Sequence, residues 1–405
     1  MTIDVQPSGV LDIGSYQSKF IIFKIDKSEV YILSKIILKT EGINKGFISD
    51  LPKLKKLINE LIGKAEDVAN LNIKKVYLSI SSLNCSFISF CNSKNIGGYE
   101  VENQKDVQFL INDSVNLFKD CYPNCDILHL FNTSFRTDKI NIIENPTGLL
   151  ADSLENEIHL VFLRNNILKN FINLITNNNL KLEKIIFAPY VLGLLTYTES
   201  PLSDASITID FGHEKTSVTI FKNDNLILSF SIPIGSWHVT NDIAKSLNLN
   251  LDIAESLKIN HSSCKNIDSD VVHKYIESEN LGFKSYKKIS NNILNKIVSS
   301  RLEEIVDYIN HELIYFRRNK QHFNKIVITG EGSKIKGFFE LLEKKLLVKF
   351  LTIEKLSCKI KNNITDEFDV CLSVINYISK SYNKEIKSNS NPNKNFFHKL
   401  YSIFN

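Results

Sequence analysis

The sequence lacks the features that mark metal-binding and nucleic-acid-binding proteins. Its seven cysteines include no C-x-x-C pair, and the closest spacings are Cys85 to Cys91 and Cys121 to Cys125. We therefore expect free thiols in a reducing cytoplasm and no cysteine metal site. The net charge is only +4 and no dense basic block occurs, so nucleic acid is not an expected partner.

Export signals and membrane-spanning stretches are missing as well. The opening residues, MTIDVQPSG, lack a charged and apolar signal pattern, so we expect no export. The longest largely apolar stretch, Ile185 to Tyr197, is interrupted by Pro189 and is too short to cross a bilayer. A soluble or peripheral protein is expected, and 405 residues with 43% hydrophobic and 23% charged residues predict two or three domains.

One stretch of the chain occurs twice. Residues 10–24 read VLDIGSYQSKFIIFK, and residues 207–222 read ITIDFGHEKTSVTIFK. Superposing the two stretches aligns five pairs: Asp12 with Asp210, Gly14 with Gly212, Ser18 with Thr216, Phe23 with Phe221 and Lys24 with Lys222. Each copy predicts strand, tight turn, strand, because β-branched and aromatic residues flank a glycine. Two unrelated hairpins with similar turns are the alternative interpretation.

Paired turns of this kind have a chemical use. Their backbone N–H groups and a hydroxyl can face phosphates, while an Asp that closes each first strand can reach a hydrated divalent cation. We therefore expect the two hairpins to face each other across a nucleotide-sized cleft. No Ser-His-Asp or Cys-His set with a mechanistic rationale accompanies them.

Hydrophobic periodicity predicts α/β halves with an insertion. Leu51 to Ala69 has apolar residues at helical spacing after a capping Asp, and a strand follows. From Ser82 to Ile158, short strand candidates such as Phe87 to Phe90 surround a helical pattern at Lys105 to Phe118 and a Gly97-Gly98 turn signal. The second half repeats the plan and adds a long helix at Ile293 to Arg318.

Several stretches resemble one family. The D-x-G hairpins, ITGEGSKIKG and DIAESLK are similar to the actin, sugar-kinase and heat-shock-chaperone superfamily. Within it, EGINKGFISDL, VYLSIS, NPTGL, LKLEKIIFAPYVLGLLTYTE and IPIGSWHVTNDIAKSLNLNLDIAESLKI resemble the bacterial cell-division FtsA family, over nearly the whole chain. The resemblance implies an actin-like, two-lobed α/β fold with ribonuclease-H-like halves and an inserted α+β subdomain. It also implies binding of ATP with Mg²⁺, with any ATPase activity weak and regulatory.

The resemblance further implies where the protein works and how it is divided. It predicts head-to-tail polymerisation at the cytoplasmic face of the membrane at the division site, tethering of the FtsZ ring, and contact of later divisome proteins with the insertion. The expected domains are 1–81 with 159–202 (first lobe), 82–158 (insertion), 203–242 with 319–382 (second lobe), 243–318 (its smaller subdomain), 383–393 (flexible linker) and 394–405 (amphipathic membrane-targeting helix).

Site residues carry over from the family position by position. The first phosphate loop would be Asp12, Gly14 and Ser15, and the second Asp210, Gly212 and Thr216, with Asp12 and Asp210 holding Mg²⁺ through water. Glu255 and Lys258 would lie near the ribose and adenine, and Gly330 and Gly332 under the adenine. Arg301 and Glu304 would meet the FtsZ C-terminal tail, with ordinary solvated helix charges as the alternative.

The chain departs from the family pattern at three positions. His213 and Glu214 follow Gly212, where the family's loop is glycine-rich, and Glu331 replaces a glycine after Gly330. Side chains there narrow the approach of backbone to phosphate, and a carboxylate repels it. The sequence therefore leaves weak nucleotide binding, or none, open. We interpret His213 as a solvated turn residue rather than a catalytic base.

The last residues supply an argument of their own. A polar segment, NKEIKSNSNPN at 383–393, reads as a flexible linker before KNFFHKLYSIFN. On a helix one face of the latter is apolar, with Phe396, Phe397, Leu400, Ile403 and Phe404, and the other polar, with Lys394, Asn395, Lys399 and Ser402. Such a helix suits the interface of an anionic membrane. A helix that packs back on the protein is the alternative.

Two other functions share the superfamily. A small-molecule kinase needs a carboxylate base positioned toward a substrate hydroxyl, and no spare acid in that context stands out. A pilus-assembly cytoplasmic ATPase shares the type of insertion but is not expected to carry the amphipathic segment. Binding to lipid therefore separates the membrane scaffold from both alternatives.

Overall fold

The computed structural model describes most of the chain, and its described residues form two compact units. The described residues are 6–26, 29–44, 46–81, 83, 85–139, 141–143, 145–199, 205–222, 225–264, 275–277, 288–318, 323–346 and 366–388. The first unit takes its described residues from 1–195, 224–229 and 370–405, and the second from 196–223 and 230–369. Among these residues, no helix has the length and apolar character needed to span a membrane.

The elements follow one another in mixed α/β order. The first part of the chain contains β1 (Ser8–Ile13), β2 (Gln17–Asp26), β3 (Glu29–Lys39), β4 (Ile43–Asn44), β5 (Phe47–Ile48), α1 (Leu51–Ala69), β6 (Lys75–Ile80), β7 (Ser86–Glu100), α2 (Gln108–Cys121), β8 (Cys125–Thr137), β9 (Asn141–Ile143), β10 (Leu150–Arg164), α3 (Asn165–Thr176), β11 (Lys181–Phe187) and α4 (Ala188–Glu199). The rest contains β12 (Ala205–Phe211), β13 (Thr216–Lys222), β14 (Asn225–Ile232), α5 (Ser236–Leu247), α6 (Leu251–His261), β15 (Tyr275–Glu277), β16 (Lys288–Ser290), α7 (Asn291–Arg318), β17 (Phe323–Thr329), α8 (Phe338–Leu346) and α9 (Asp369–Ser388). The last helix, α9, includes residues 383–388 of the predicted flexible linker.

The first unit is built on a five-stranded sheet in the order β11-β6-β1-β2-β3. Helix α1 has the bounds that its apolar spacing predicts. The Asp50 carboxylate accepts a hydrogen bond from the Lys53 N–H at 3.0 Å, and Asn70 ends the helix in the left-handed conformation at φ 53°. Five periodic positions, Leu54, Leu57, Ile58, Leu61 and Ile62, are buried in one core with the inward side chains of β1, β2, β6 and α3.

A second sheet of the first unit, in the order β7-β10-β8-β9, packs on α2. The prediction of short strands here was wrong, since β7 and β10 are 15 residues each and pair from Phe162 opposite Ser86 to Leu150 opposite Glu100. Gly97 and Gly98, predicted as a turn, have φ of +73° and +81° inside β7, near a register shift. Glycine absorbs the irregularity and the strand continues through it.

A four-stranded sheet in the order β14-β13-β12-β17 belongs to the second unit, apart from residues 225–229 at the start of β14. Helices α5, α6, α7 and α8 belong to this unit, and α5 contacts both α6 and α7. The predicted long helix is confirmed as α7, whose apolar positions Leu302, Ile305, Ile309 and Leu313 are fully buried. That burial explains why a helix of 28 residues holds together, because tertiary packing supplies most helical stability.

Both units contain the same four-strand order. In the first, β6 runs parallel beside β1, and β2 and β3 follow it; in the second, β17 runs parallel beside β12, and β13 and β14 follow it. The hairpins also share their register, because Asp12 lies opposite Lys19 and Asp210 opposite Ser217, seven residues on in each copy. The duplicated sequence therefore marks a duplicated structure.

Candidate functional site

The first duplicated loop connects β1 and β2. Asp12, near the end of β1, is 6% exposed and lies beside Ser79 of the parallel strand β6. The Gly14 N–H donates to the Gln17 carbonyl at 3.2 Å, which closes the turn. A Cβ on Gly14 would lie 2.7 Å from that oxygen, so the turn needs glycine. Ser15 is half-buried in the turn, and its contact with phosphate stays a prediction.

The second duplicated loop connects β12 and β13 with the same geometry. Asp210 lies beside Thr329 of the parallel strand β17 and is partly exposed. The Gly212 N–H donates to the Lys215 carbonyl at 3.0 Å, the counterpart of the bond in the first loop. Equivalent hydrogen bonds in both copies show that the two loops are the same turn, which matching sequence alone left open.

The hydroxyls that the repeat aligns are engaged inside the protein. Ser18 and Thr216 are both fully buried. The Ser18 hydroxyl shares a hydrogen bond of 2.8 Å with that of Thr40, and the Thr216 hydroxyl donates to the Ile234 carbonyl at 2.8 Å. Contact of Thr216 with phosphate stays a prediction, and its visible role is to fix the chain that leads into α5.

The start of α5 lies directly against the second loop. A Cβ on Gly235 would approach the carbonyl oxygens of His213 and Gly212 to 2.5 and 2.7 Å. The N–H groups of Ser236 and Trp237 donate to the Gly212 and His213 carbonyls at 2.9 and 2.7 Å. The first amides of α5 therefore hold the loop in place, so the loop itself has to supply any backbone contact to phosphate.

Helices α5 and α6 are joined by a buried polar network around Lys258. The Lys258 ammonium lies 2.8 Å from the Glu255 carboxylate and donates to the Thr240 hydroxyl at 2.9 Å and the Ser236 carbonyl at 3.3 Å. The Thr240 hydroxyl in turn donates to Glu255. Burial lowers the pKa of Lys258, while Glu255 and Glu331 oppose that shift. Glu255 and Lys258, which are predicted near the ribose and adenine, are therefore bonded to each other and to α5.

The glycine turn after β17 lies against the end of β12. Gly330 has φ +86°, and a Cβ there would come within 2.5 Å of the Phe211 carbonyl oxygen and 2.8 Å of the Asp210 carboxylate. A Cβ on Gly332 would lie 2.5 Å from the Phe211 ring. Asp210 and the predicted adenine turn are thus neighbours in the second unit, and glycine is required at both positions of the turn.

Two of the three departures from the family pattern, His213 and Glu331, have different surroundings. His213 is half-buried in the turn after Gly212, so its side chain is only partly exposed to solvent. Burial lowers the pKa of His213 to about 4, helped by Lys258 and opposed by Glu255 and Glu214. Glu331 forms an ion pair of 3.0 Å with Lys334 and is 42% exposed. That pair offsets part of the repulsion that the Glu331 carboxylate would exert on phosphate.

The sequence did not single out two features of this site. The close contact of Gly235 with a loop more than twenty residues earlier leaves no local signal in the sequence. Asp369 accepts a hydrogen bond of 2.7 Å from the Thr329 hydroxyl, beside Asp210. No motif around Asp369 identifies it, because Thr329, which contacts it, lies 40 residues earlier in the chain.

The predicted partner residues on α7 are already paired. The Arg301 guanidinium donates to both oxygens of the Asp242 carboxylate on α5, at 2.6 and 3.1 Å, and to Glu304. These charges raise the pKa of Arg301, with the Asp242 hydrogen bond as the largest cause. Glu304 is the more exposed of the two residues, at 43% against 24%. Arg301 therefore has a structural role in addition to any contact with a partner.

The predicted membrane-binding residues, Lys394, Phe396, Phe397, Lys399, Leu400, Ile403 and Phe404, lie outside the described residues. The predicted site residues of the first loop belong to the first unit, and Asp210, Gly212, Thr216, Glu255, Lys258, Gly330 and Gly332 to the second. Within the second unit the structure brings together the loop, α5, α6 and the glycine turn.

Comparison with known proteins finds one family and one fold. The family described as "Cell division protein FtsA" matches residues 207–367. The chain is 25% identical over 366 residues to the cell division protein FtsA of Buchnera aphidicola subsp. Baizongia pistaciae (strain Bp), covering 87% of this chain and 84% of that protein. It is 24% identical over 308 residues to FtsA of Escherichia coli (strain K12), covering 74% and 72%.

Solved structures show the fold. The PilM-PilN type IV pilus biogenesis complex matches with a TM-score of 0.64 at 15% identity, covering 92% of this chain and 98% of that one. MreB5 of Spiroplasma citri bound to ADP matches with a TM-score of 0.53 at 12% identity, covering 95% and 98%. These findings confirm the predicted resemblance of the chain to the FtsA family and its predicted actin-like fold.

Proposed function

We propose that the chain is an actin-like cell-division protein that binds ATP, polymerises on the inner face of the cytoplasmic membrane and tethers the FtsZ ring there. The proposal rests on one observation. Four elements lie together in the second unit: the Asp210 loop, the start of α5, the Glu255–Lys258 pair and the Gly330 turn. They meet in a chain that is similar to FtsA over most of its length.

Nucleotide binding would use this chain's groups in separate roles. The Gly14 and Gly212 loops would supply backbone N–H groups to the phosphates, and Asp12 and Asp210 would hold Mg²⁺ through water, since a hydrated cation prefers carboxylate oxygens. Glu255 and Lys258 would lie near the ribose and adenine. The related MreB5 structures are bound to ADP and AMPPNP, which supports a nucleotide as the ligand. Any hydrolysis would be slow and regulatory.

Deleting residues 394–405 is expected to reduce binding to anionic vesicles at least tenfold. The segment supplies five apolar side chains and two lysines, and a single helix of this length binds weakly. Filaments then gain avidity because many segments act together. Co-sedimentation of the full chain with phosphatidylglycerol-containing vesicles measures the effect, and a small-molecule kinase would show no difference.

Point substitutions sharpen that test. Phe397→Asp places a carboxylate on the apolar face, and burial of a phenylalanine is worth about 2 kcal/mol, so we expect a loss of more than tenfold. Asn395→Asp makes the same change of charge on the polar face and is the matched control. Equal losses in the two variants would show that charge alone governs vesicle binding, and undiminished binding of the Phe397→Asp chain would reject the tether.

Arg301→Glu is expected to weaken binding of an FtsZ C-terminal peptide at least tenfold. The substitution inverts a charge on α7, but it also places a third carboxylate beside Asp242 and Glu304. A fluorescence anisotropy titration with labelled peptide measures the affinity, and tenfold corresponds to about 1.4 kcal/mol.

A charge swap separates recognition from structure. Combining Arg301→Glu with Asp242→Arg restores an ion pair between α5 and α7 while the charge at position 301 stays inverted. We expect the swapped chain to bind the peptide as weakly as the single variant. If the swap restored binding, Arg301 would act only by holding α5 to α7, and the FtsZ contact would have to lie elsewhere.

A further inference from the structure

An apolar groove in the first unit is not used by the proposed nucleotide site. It lies between α2 and β8 on one side and α3 and β11 on the other, with a volume of about 420 Å³. Six apolar residues lining it are only partly buried: Ile127, Leu128, Leu168, Ile172, Leu182 and Ile185. The volume falls in the range of ligand pockets, about 300–1,000 Å³. An open apolar groove of this size favours an apolar occupant.

The charges at the groove are balanced. Lys119 and Lys184 line it together with Asp126 and Glu183. Glu183 is already paired with Lys181 at 3.0 Å. A groove with two charges of each sign attracts neither anions nor cations strongly, so apolar contact has to supply the affinity of its occupant.

Helix α9 leads from this groove toward the amphipathic segment. The Lys184 ammonium donates to the Tyr377 hydroxyl of α9 at 3.4 Å and lies 5.5 Å from the centre of its ring. From Tyr377 the helix continues to Ser388, about 16 Å at 1.5 Å per residue. Residues 389–393 can span up to about 17 Å. A segment that begins at residue 394 can therefore return to the groove.

We propose that this groove holds the chain's own residues 394–405 when no anionic membrane is present. The five apolar side chains of that segment match a groove that offers apolar surface and no net charge. The short connection keeps the segment at an effective concentration on the order of millimolar, so weak contact suffices to fill the groove. The lysines of the segment gain little from a balanced rim but are attracted by anionic lipid, which therefore releases the segment.

A crosslink in the full chain tests the proposal. Native Cys125 lines the groove, whereas native Cys91 lies exposed on β7. With Ser402→Cys and a short bis-maleimide, peptide mapping should find the link from position 402 to Cys125 at least tenfold more often than to Cys91. Phosphatidylglycerol vesicles should abolish that link. Equal links to both cysteines would overturn the docking in the groove, and a link that vesicles leave unchanged would overturn the release of the segment by anionic lipid.

A substitution in the groove provides a second test of the proposal. Leu168→Glu should reduce the Cys125 link at least tenfold and increase binding to neutral phosphatidylcholine vesicles several-fold. Val68→Glu, at a position that is 64% exposed on α1, is the matched control and should change neither. Links between two chains, rising with protein concentration, would identify a second copy as occupant and reject docking within one chain. Without vesicles, the crosslink requires neither lipid nor nucleotide. It can therefore be detected even if the segment does not bind membranes.

Discussion

Replacing Gly330 by alanine is expected to destabilise the second unit by about 3 kcal/mol and to reduce ATP affinity at least tenfold. Gly330 has φ +86° and ψ 159°, a region that is essentially restricted to glycine. The added methyl would also meet the Phe211 carbonyl at 2.5 Å and the Asp210 carboxylate at 2.8 Å. Backbone cannot move aside cheaply, so the end of β12 has to shift, and Asp210 shifts with it.

Two other glycines separate the causes of that loss. Gly148 has φ +85° with open space around its Cβ position, so Gly148→Ala carries the strain without the clash and should cost about 1 to 2 kcal/mol. Gly63, inside α1, also has open space, and Gly63→Ala should stabilise the chain by about 1 kcal/mol. Urea unfolding followed by circular dichroism and calorimetric titration with Mg-ATP measure both effects. An intact affinity in Gly330→Ala would reject the role of the Gly330 turn.

Lowering the pH from 7.5 to 5 is expected to cost the first unit about 4 kcal/mol of unfolding free energy, about 2 from each of two histidines. Burial lowers the pKa of His129 to about 3, with Lys184 adding to the shift, and burial lowers the pKa of His159 to about 4. The ordinary pKa is 6.5. As the pH falls below it, the unfolded chain binds protons that the folded chain excludes, so stability present at neutral pH is lost.

A single substitution isolates one of these contributions. The His129 Nε2 accepts the Phe187 N–H at 2.9 Å, and glutamine at position 129 keeps an acceptor there. His129→Gln should therefore reduce the loss between pH 7.5 and 5 by about 2 kcal/mol, measured by urea unfolding with hydrogen exchange of the β8 amides. His311→Gln, with a side chain that is 80% exposed, should leave the loss unchanged. An unaltered loss in His129→Gln would contradict the assignment.

The fold was predictable wherever local pattern and packing agree. Helix α1 follows from Asp50 as cap and from buried positions at helical spacing, and both hairpins follow from β-branched residues around a glycine. The inserted sheet was harder to predict, because Gly97 and Gly98 read as a turn. A glycine with positive φ suits a tight turn and an irregular strand equally, and only the partner strand β10 decides between them.

The site was predictable as a set of residue types but not as a set of contacts. Asp210, Gly212 and Gly330 stand at strand ends, where a motif can be read. The lowered pKa of His213 depends in part on Lys258 of α6, which comes from later in the chain. The hydrogen bond from Arg301 to Asp242 joins residues that are 59 positions apart, so no local spacing in the sequence predicts it. Contacts of this kind follow from tertiary packing alone.

The position of Trp237 has a practical consequence. It is the chain's single tryptophan. Its backbone N–H donates a hydrogen bond to the His213 carbonyl of the second loop, and its indole lies edge-on to the His238 ring, with 5.2 Å between the ring centres. All intrinsic indole emission therefore originates beside the proposed phosphate site. A change in that emission on adding nucleotide can be assigned to this one place, without any dye and without altering a residue.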